Sequence, residues 1–97
     1  MKLGPPLTED AAEGLAIQAL TFIAQDGERL GRFLAATGIG PAEIRAAAQD
    51  AGFLAGVLDY VAGDERLVES FAADAQLDPG LIEQARLVLN GAPWEGT

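Results

Sequence analysis

The chain has 97 residues, 49% of them hydrophobic, with no Cys or His and a net charge of −9 from 15 acidic and 6 basic side chains. That length is enough for one domain, burying somewhat over ~60% of its unfolded surface without covalent staples. The composition excludes disulfides, thiolate and imidazole metal sites and histidine-based catalysis, and the acidity opposes docking on phosphate backbones and anionic membranes.

Residues 1–7 carry one Lys and a Gly-Pro-Pro run and read as a flexible lead-in without the apolar segment of a secretory signal. Thr8 is a good N-cap, followed by Glu9 and Asp10 where the helix dipole favours acids. A first helix should run to about Gln25, with Leu15, Ala19, Leu20, Phe22 and Ile23 as its apolar set. Asp26-Gly27 breaks it, and Asp26 can cap a second helix over 28–37 that places Leu30, Phe33 and Leu34 on one face. Gly38 reads as the residue after the helix end. Pro41 opens a third helix, carried to about Ala51 by a thin stripe of Ile44, Ala47, Ala48 and Ala51.

The stretch Gly52 to Ala62 is the most apolar in the chain, with Asp59 its only charged residue. A helix apolar on most of its circumference belongs inside a bundle. Gly63 closes it, Asp64 caps a fifth helix over 65–75, and Asp78-Pro79 begin a sixth that ends at Asn90-Gly91. No run of alternating β-branched residues predicts a strand. The expected fold is all-α: one domain over 8–91 built from about six short helices, then a tail over 92–97. Apolar runs such as Phe22-Ile23-Ala24 are far short of the ~20 residues that span a bilayer, so a soluble cytoplasmic protein is expected.

At an offset of 38, residues 14–47 fall without a gap on 52–85 and give nine identical pairs, among them Gly14/Gly52, Leu20/Leu58, Asp26/Asp64, Phe33/Phe71, Pro41/Pro79 and Ile44/Ile82. Roughly three would be expected by chance, and a fixed period is the mark of repetition. Two three-helix copies, about 14–51 and 52–91, related by a pseudo-two-fold with the first and fourth helices as the paired centre, are the expected arrangement. The third and sixth helices differ: Glu43 and Asp50 correspond to Leu81 and Val88, and Gln49 to Leu87. The sixth helix is therefore either buried more deeply or carries an apolar patch for a partner. Trp94, the only Trp, either lids the bundle or joins that patch.

Chemistry has few carriers. Ser70 is the only Ser and Lys2 the only Lys, and no phosphate-loop, dinucleotide or calcium-loop pattern occurs. The close acid pairs Glu9/Asp10 and Asp64/Glu65 lie at helix starts, where capping accounts for them. No catalytic residue, metal ligand or cofactor is expected, and the chain is read as not an enzyme. Asp59 either stands on a solvent-facing edge, bonds a neighbouring helix terminus, or is partly buried in an ion pair with Arg66 or Arg86 that fixes the register of the copies. The run Leu34 to Arg45, repeated from Ala72 to Ile82, has helix-turn-helix spacing. Its second helices, however, offer only Arg45 and Arg86 against nearby acids, which is poor for reading base edges.

The segment Phe53-Leu54-x-x-Val57-Leu58-Asp59-Tyr60-Val61, with Asp64-Glu65, Phe71, Pro79, Ala85-Arg86, Leu89 and Gly91, resembles a short, acidic, all-helical domain-of-unknown-function family of alphaproteobacteria. The resemblance runs from about Glu13 to Trp94 and rests on helix-packing positions. It implies a bacterial cytosolic protein and supplies no site residues. The functional expectation is a protein–protein interaction module, self-associating or binding an unknown protein, with Leu81, Leu87, Val88 and Trp94 as anchors. The alternatives are a nucleic-acid-associated regulator, as a weak helix-turn-helix or an acidic DNA mimic, and a small-molecule pocket around Tyr60 and Phe22.

Overall fold

The computed structural model describes residues 7–91. Six α-helices follow one another: α1 (Glu9–Ala24), α2 (Gly27–Thr37), α3 (Ile44–Ala47), α4 (Ala51–Ala62), α5 (Glu65–Ala75) and α6 (Pro79–Leu89). A 3₁₀ turn at Pro41–Glu43 leads into α3, and no strand occurs among the described residues. The protein is thus a small all-α bundle, as its periodicity predicts.

Short polar side chains set most of the helix starts. The Thr8 hydroxyl accepts from the Ala11 N–H at 3.1 Å, and Asp26 Oδ1 accepts from Glu28 and Arg29 at 2.8 and 3.3 Å. Asp64 does the same for Arg66 and Leu67 at 3.0 and 3.3 Å, and Asp78 for Gly80 at 2.9 Å. Each bond satisfies a donor that the first turn leaves orphaned. The same contacts hold the Asp26 carboxyl below its ordinary range, through the N–H groups of Arg29 and Glu28.

The third helix departs from expectation. Its α-helical part is a single turn ending at Ala47, and Asp50 caps α4 by accepting from the Gly52 N–H at 3.3 Å. Ile44 is the only large apolar side chain between 44 and 51, so little packing holds a longer helix against the competing cap. Leu7, assigned from sequence to the lead-in, is half-buried against the core. Residues 1–6 and the tail 92–97, including Trp94, lie outside the described residues.

The centre is three helices rather than a pair. α1, α4 and α6 pack against one another, while α2 lies on α1 and α5 on α4. The core runs through Ala12, Ala16, Ala19, Leu20 and Ile23 of α1, Leu54, Val57, Leu58 and Val61 of α4, and Ile82 and Ala85 of α6. Small residues along α1 let the backbones approach closely, and none of the described buried residues is polar or charged. Aromatic contacts lock the flanking helices. Phe22 of α1 meets Phe71 of α5 at 5.6 Å between ring centroids, and Tyr60 of α4 meets Phe33 of α2 edge-on at 5.2 Å. Phe53 adds a second edge contact to Phe33 at 6.1 Å.

The offset of 38 recurs in local structure. α2 displaced by 38 gives the bounds of α5, and the Asp26 and Asp64 caps make equivalent bonds. α3 and α6 break the correspondence, because α6 occupies the groove between α1 and α4 and α3 is one turn long. A pseudo-two-fold covering three full helices per copy therefore does not describe the packing.

Gly38 and Gln76 end α2 and α5 at equivalent positions, both in the left-handed region with φ 75° and 56°. Only the first is a Gly, and the left-handed well disfavours a Cβ. Gln76→Gly should therefore raise the stability measured by urea unfolding by up to about 1 kcal/mol, and Gly38→Ala should lower it by a similar amount. Phe33→Ala, which empties a fully buried aromatic site, should cost about 3–5 kcal/mol in the same assay.

Candidate functional site

Helix α6 is the sixth-helix surface singled out by sequence, and its geometry separates the residues grouped there. Ile82 and Ala85 are buried, and Val88 and Leu89 pack half-buried against the core. Leu81 is half-buried, one turn before Ala85 on the same flank. Leu87 points outward at 42% exposure among the exposed Gly80, Glu83 and Gln84. Val88, which falls on Asp50 at the offset of 38, is thus used at least partly within the molecule, whereas Leu87 is not. Ile17 of α1, at 46%, is the other exposed large aliphatic residue among those described. Trp94 cannot be placed with them, since it lies outside the described residues.

Beside this face, α4 and α6 enclose an open groove of about 360 Å³ lined by Asp59, Ala62, Gly63, Glu83, Arg86 and Asn90. Arg86 organises it. Its Nη2 donates to Glu83 Oε2 at 2.6 Å and its Nε to Oε1 at 3.1 Å, while Nη1 reaches Asp59 Oδ1 at 3.4 Å. Asn90 donates to the same Asp59 oxygen at 3.1 Å and to the Arg86 carbonyl at 2.7 Å. Asp59 is solvent-exposed and joins α4 to α6 across 27 residues of chain. The Glu83 fork raises the Arg86 pKa, with Asp59 second, and Arg86 in turn holds Glu83 below its ordinary 4.5 against the opposing effect of partial burial. An Arg satisfied in this way orders the helix pair and has little left to offer a ligand.

The remaining expectations are placed as follows. Arg45 lies on the one-turn α3, so the segment after the first turn is too short to lie along a groove as a recognition helix. No group of three or more potential metal-ligating side chains gathers among the described residues. Phe22 and Tyr60 do not share a large pocket: each packs on a different Phe. Tyr60, Ile23, Arg29, Arg32, Asp64 and Leu67 instead line a cleft of about 40 Å³. The clustering of Arg29 and Arg32 there was missed by sequence, although their spacing of three on a helix was a visible signal.

No described helix is long and apolar enough to cross a membrane. The family model described as "Protein of unknown function (DUF3572)" matches residues 9–92, and the chain belongs to that family. No curated protein and no solved structure matches the chain.

The Glu83–Arg86 pair sets a pH dependence. The Glu83 pKa is lowered in the folded state, so its contribution is present above about 4.5 and is lost as pH falls through the folded value. The urea midpoint of the wild type should exceed that of Glu83→Gln at pH 7, and the gap should close below the ordinary carboxylate range. A gap that persists at pH 2 would refute this assignment.

Proposed function

We propose that this member of a family of unknown function is a non-enzymatic protein–protein interaction module acting through the outer face of α6. The observation that carries this reading is Leu87, a large apolar side chain held at 42% exposure on a helix whose opposite face is locked into the core. A rigid helix presents such an anchor with little ordering cost on binding. Half-buried Leu81 and Val88 lie on another flank of the same helix, and Ile17 of α1 is the other exposed large aliphatic residue among those described. Self-association through this face is the simplest form, in the bacterial cytoplasmic setting that the sequence resemblance implies.

Two observations weigh against the direct form of the nucleic-acid alternative: α3 is one turn long, and Arg86 is paired with two carboxylates. An acidic mimic would engage a basic partner through faces other than that of Leu87. We also read the matching caps, helix bounds and aromatic pairs at offset 38 as traces of an internal duplication whose third helices diverged, α6 becoming the partner-bearing one.

Light scattering behind size exclusion, over a wide concentration range, should give a concentration-dependent dimer for the wild type and a folded monomer for Leu87→Glu. Circular dichroism checks that the variant keeps its helices. Monomers in both, with an unchanged set of captured partners, would refute the α6 reading.

A further inference from the structure

Five of the six basic residues lie among the described positions, and two of them, Arg29 and Arg32, line the same small cleft. Side by side on one helix face, two guanidinium groups repel unless an anion lies between them. Arg86, by contrast, carries two carboxylates within 4 Å. Arg29 has only Asp26, whose Oδ2 stands 3.8 Å from Nη1 while its Oδ1 accepts from two N–H groups of α2. Arg32 makes no ion pair within 4 Å among the described residues. Asp64, the one acid on the cleft wall, caps α5 through Oδ1, which accepts from the Arg66 and Leu67 N–H groups.

The cleft is organised before anything binds. The Arg29 guanidinium lies 3.9 Å over the Phe22 ring, and its Nη2 donates to the Phe22 carbonyl at 2.7 Å. Those contacts fix the plane of the fork and leave Nε buried with no acceptor, an expensive state for a charged donor. Tyr60 is held edge-on against Phe33, so its ring forms a rigid wall. Asp64 and Leu67 at the first turn of α5 form another wall, where the Asp64 carboxylate offsets the positive end of the helix that it caps. A volume of about 40 Å³ is close to that of one or two water molecules, at ~30 Å³ each, and so suits a single planar anionic group.

We propose that the cleft between α2, α4 and the start of α5 is a carboxylate-binding site, with Arg32 and Arg29 as the cationic partners and Tyr60 as the aromatic wall. This is independent of the α6 face. Planar guanidinium groups match a carboxylate in geometry as well as charge. On a protein of net charge −9, such a site selects a carboxylate by local contacts against the general field.

The test is a ¹H–¹⁵N titration of the intact protein that follows the arginine Nε–H signals and the amides of α2 and α5. Sodium acetate and the blocked peptide acetyl-Ala-Glu-Ala-amide serve as probes, with sodium chloride at matched ionic strength as the control. Saturable shifts at Arg29, Arg32 and Leu67 are expected with both carboxylate probes and not with chloride. Arg32→Ala should weaken binding by about ten-fold, the scale of one charge-assisted contact. Arg66→Ala, which removes the same charge from a residue outside the cleft, should leave binding within about two-fold, as expected for a screened surface charge. Tighter binding of the peptide would identify an acidic segment as the source, and equal affinities a free small acid; either upholds the site. Shifts that match chloride, or equal losses in Arg32→Ala and Arg66→Ala, overturn it.

Discussion

The fold depends on two aromatic contacts that cross between its flanking helices. Phe22 of α1 meets Phe71 of α5, and Tyr60 of α4 meets Phe33 of α2. Each pair ties the N-terminal half of the chain to the C-terminal half. Because α2 and α5 are amphipathic and only 11 residues long, neither would persist alone in water. A single buried Phe on each, anchored on the opposite half, gives the flanking helices their position and makes the halves fold as one unit.

That interlock leaves a groove between α1 and α4, and α6 fills it. Ile82 and Ala85 are its buried residues, and Val88 and Leu89 pack half-buried against the core. The earlier segment, with one large apolar residue and a capping Asp near its end, shrinks to a turn and serves as a connector. α6 is thus central, with Leu87 exposed on its far side.

Charge is arranged to suit. The core holds no described polar group, so no buried titratable site competes with packing, and the acids do work at helix starts or at the surface. Within this acidic surface the arginines play two different parts. Arg86 is saturated by Glu83 and Asp59 and fastens α6 to α4. Arg29, stacked on Phe22 and bonded to its carbonyl, closes the end of α1 yet keeps an unsatisfied donor beside Arg32. The first arrangement fastens two helices; the second is the basis of the proposed carboxylate site.

Much of the fold was legible in the chain, and the reason is local. Caps at Thr8, Asp26, Asp64 and Asp78, the glycine stop at Gly38, the apolar stripe of α4 and the absence of strand periodicity are decided by neighbours within a few residues, so they survive translation from sequence to structure. Asp50 misled because capping and helix interior compete at the same position, and packing across the molecule chose between them. The placement of α6 between α1 and α4, the separation of Val88 from Leu87, the choice of Arg86 over Arg66 as partner of Asp59, and the cleft that brings Arg29, Arg32 and Tyr60 together were decided only in three dimensions. Each depends on which helix faces which across tens of residues, and helical periodicity fixes a helix's apolar face without saying what will cover it.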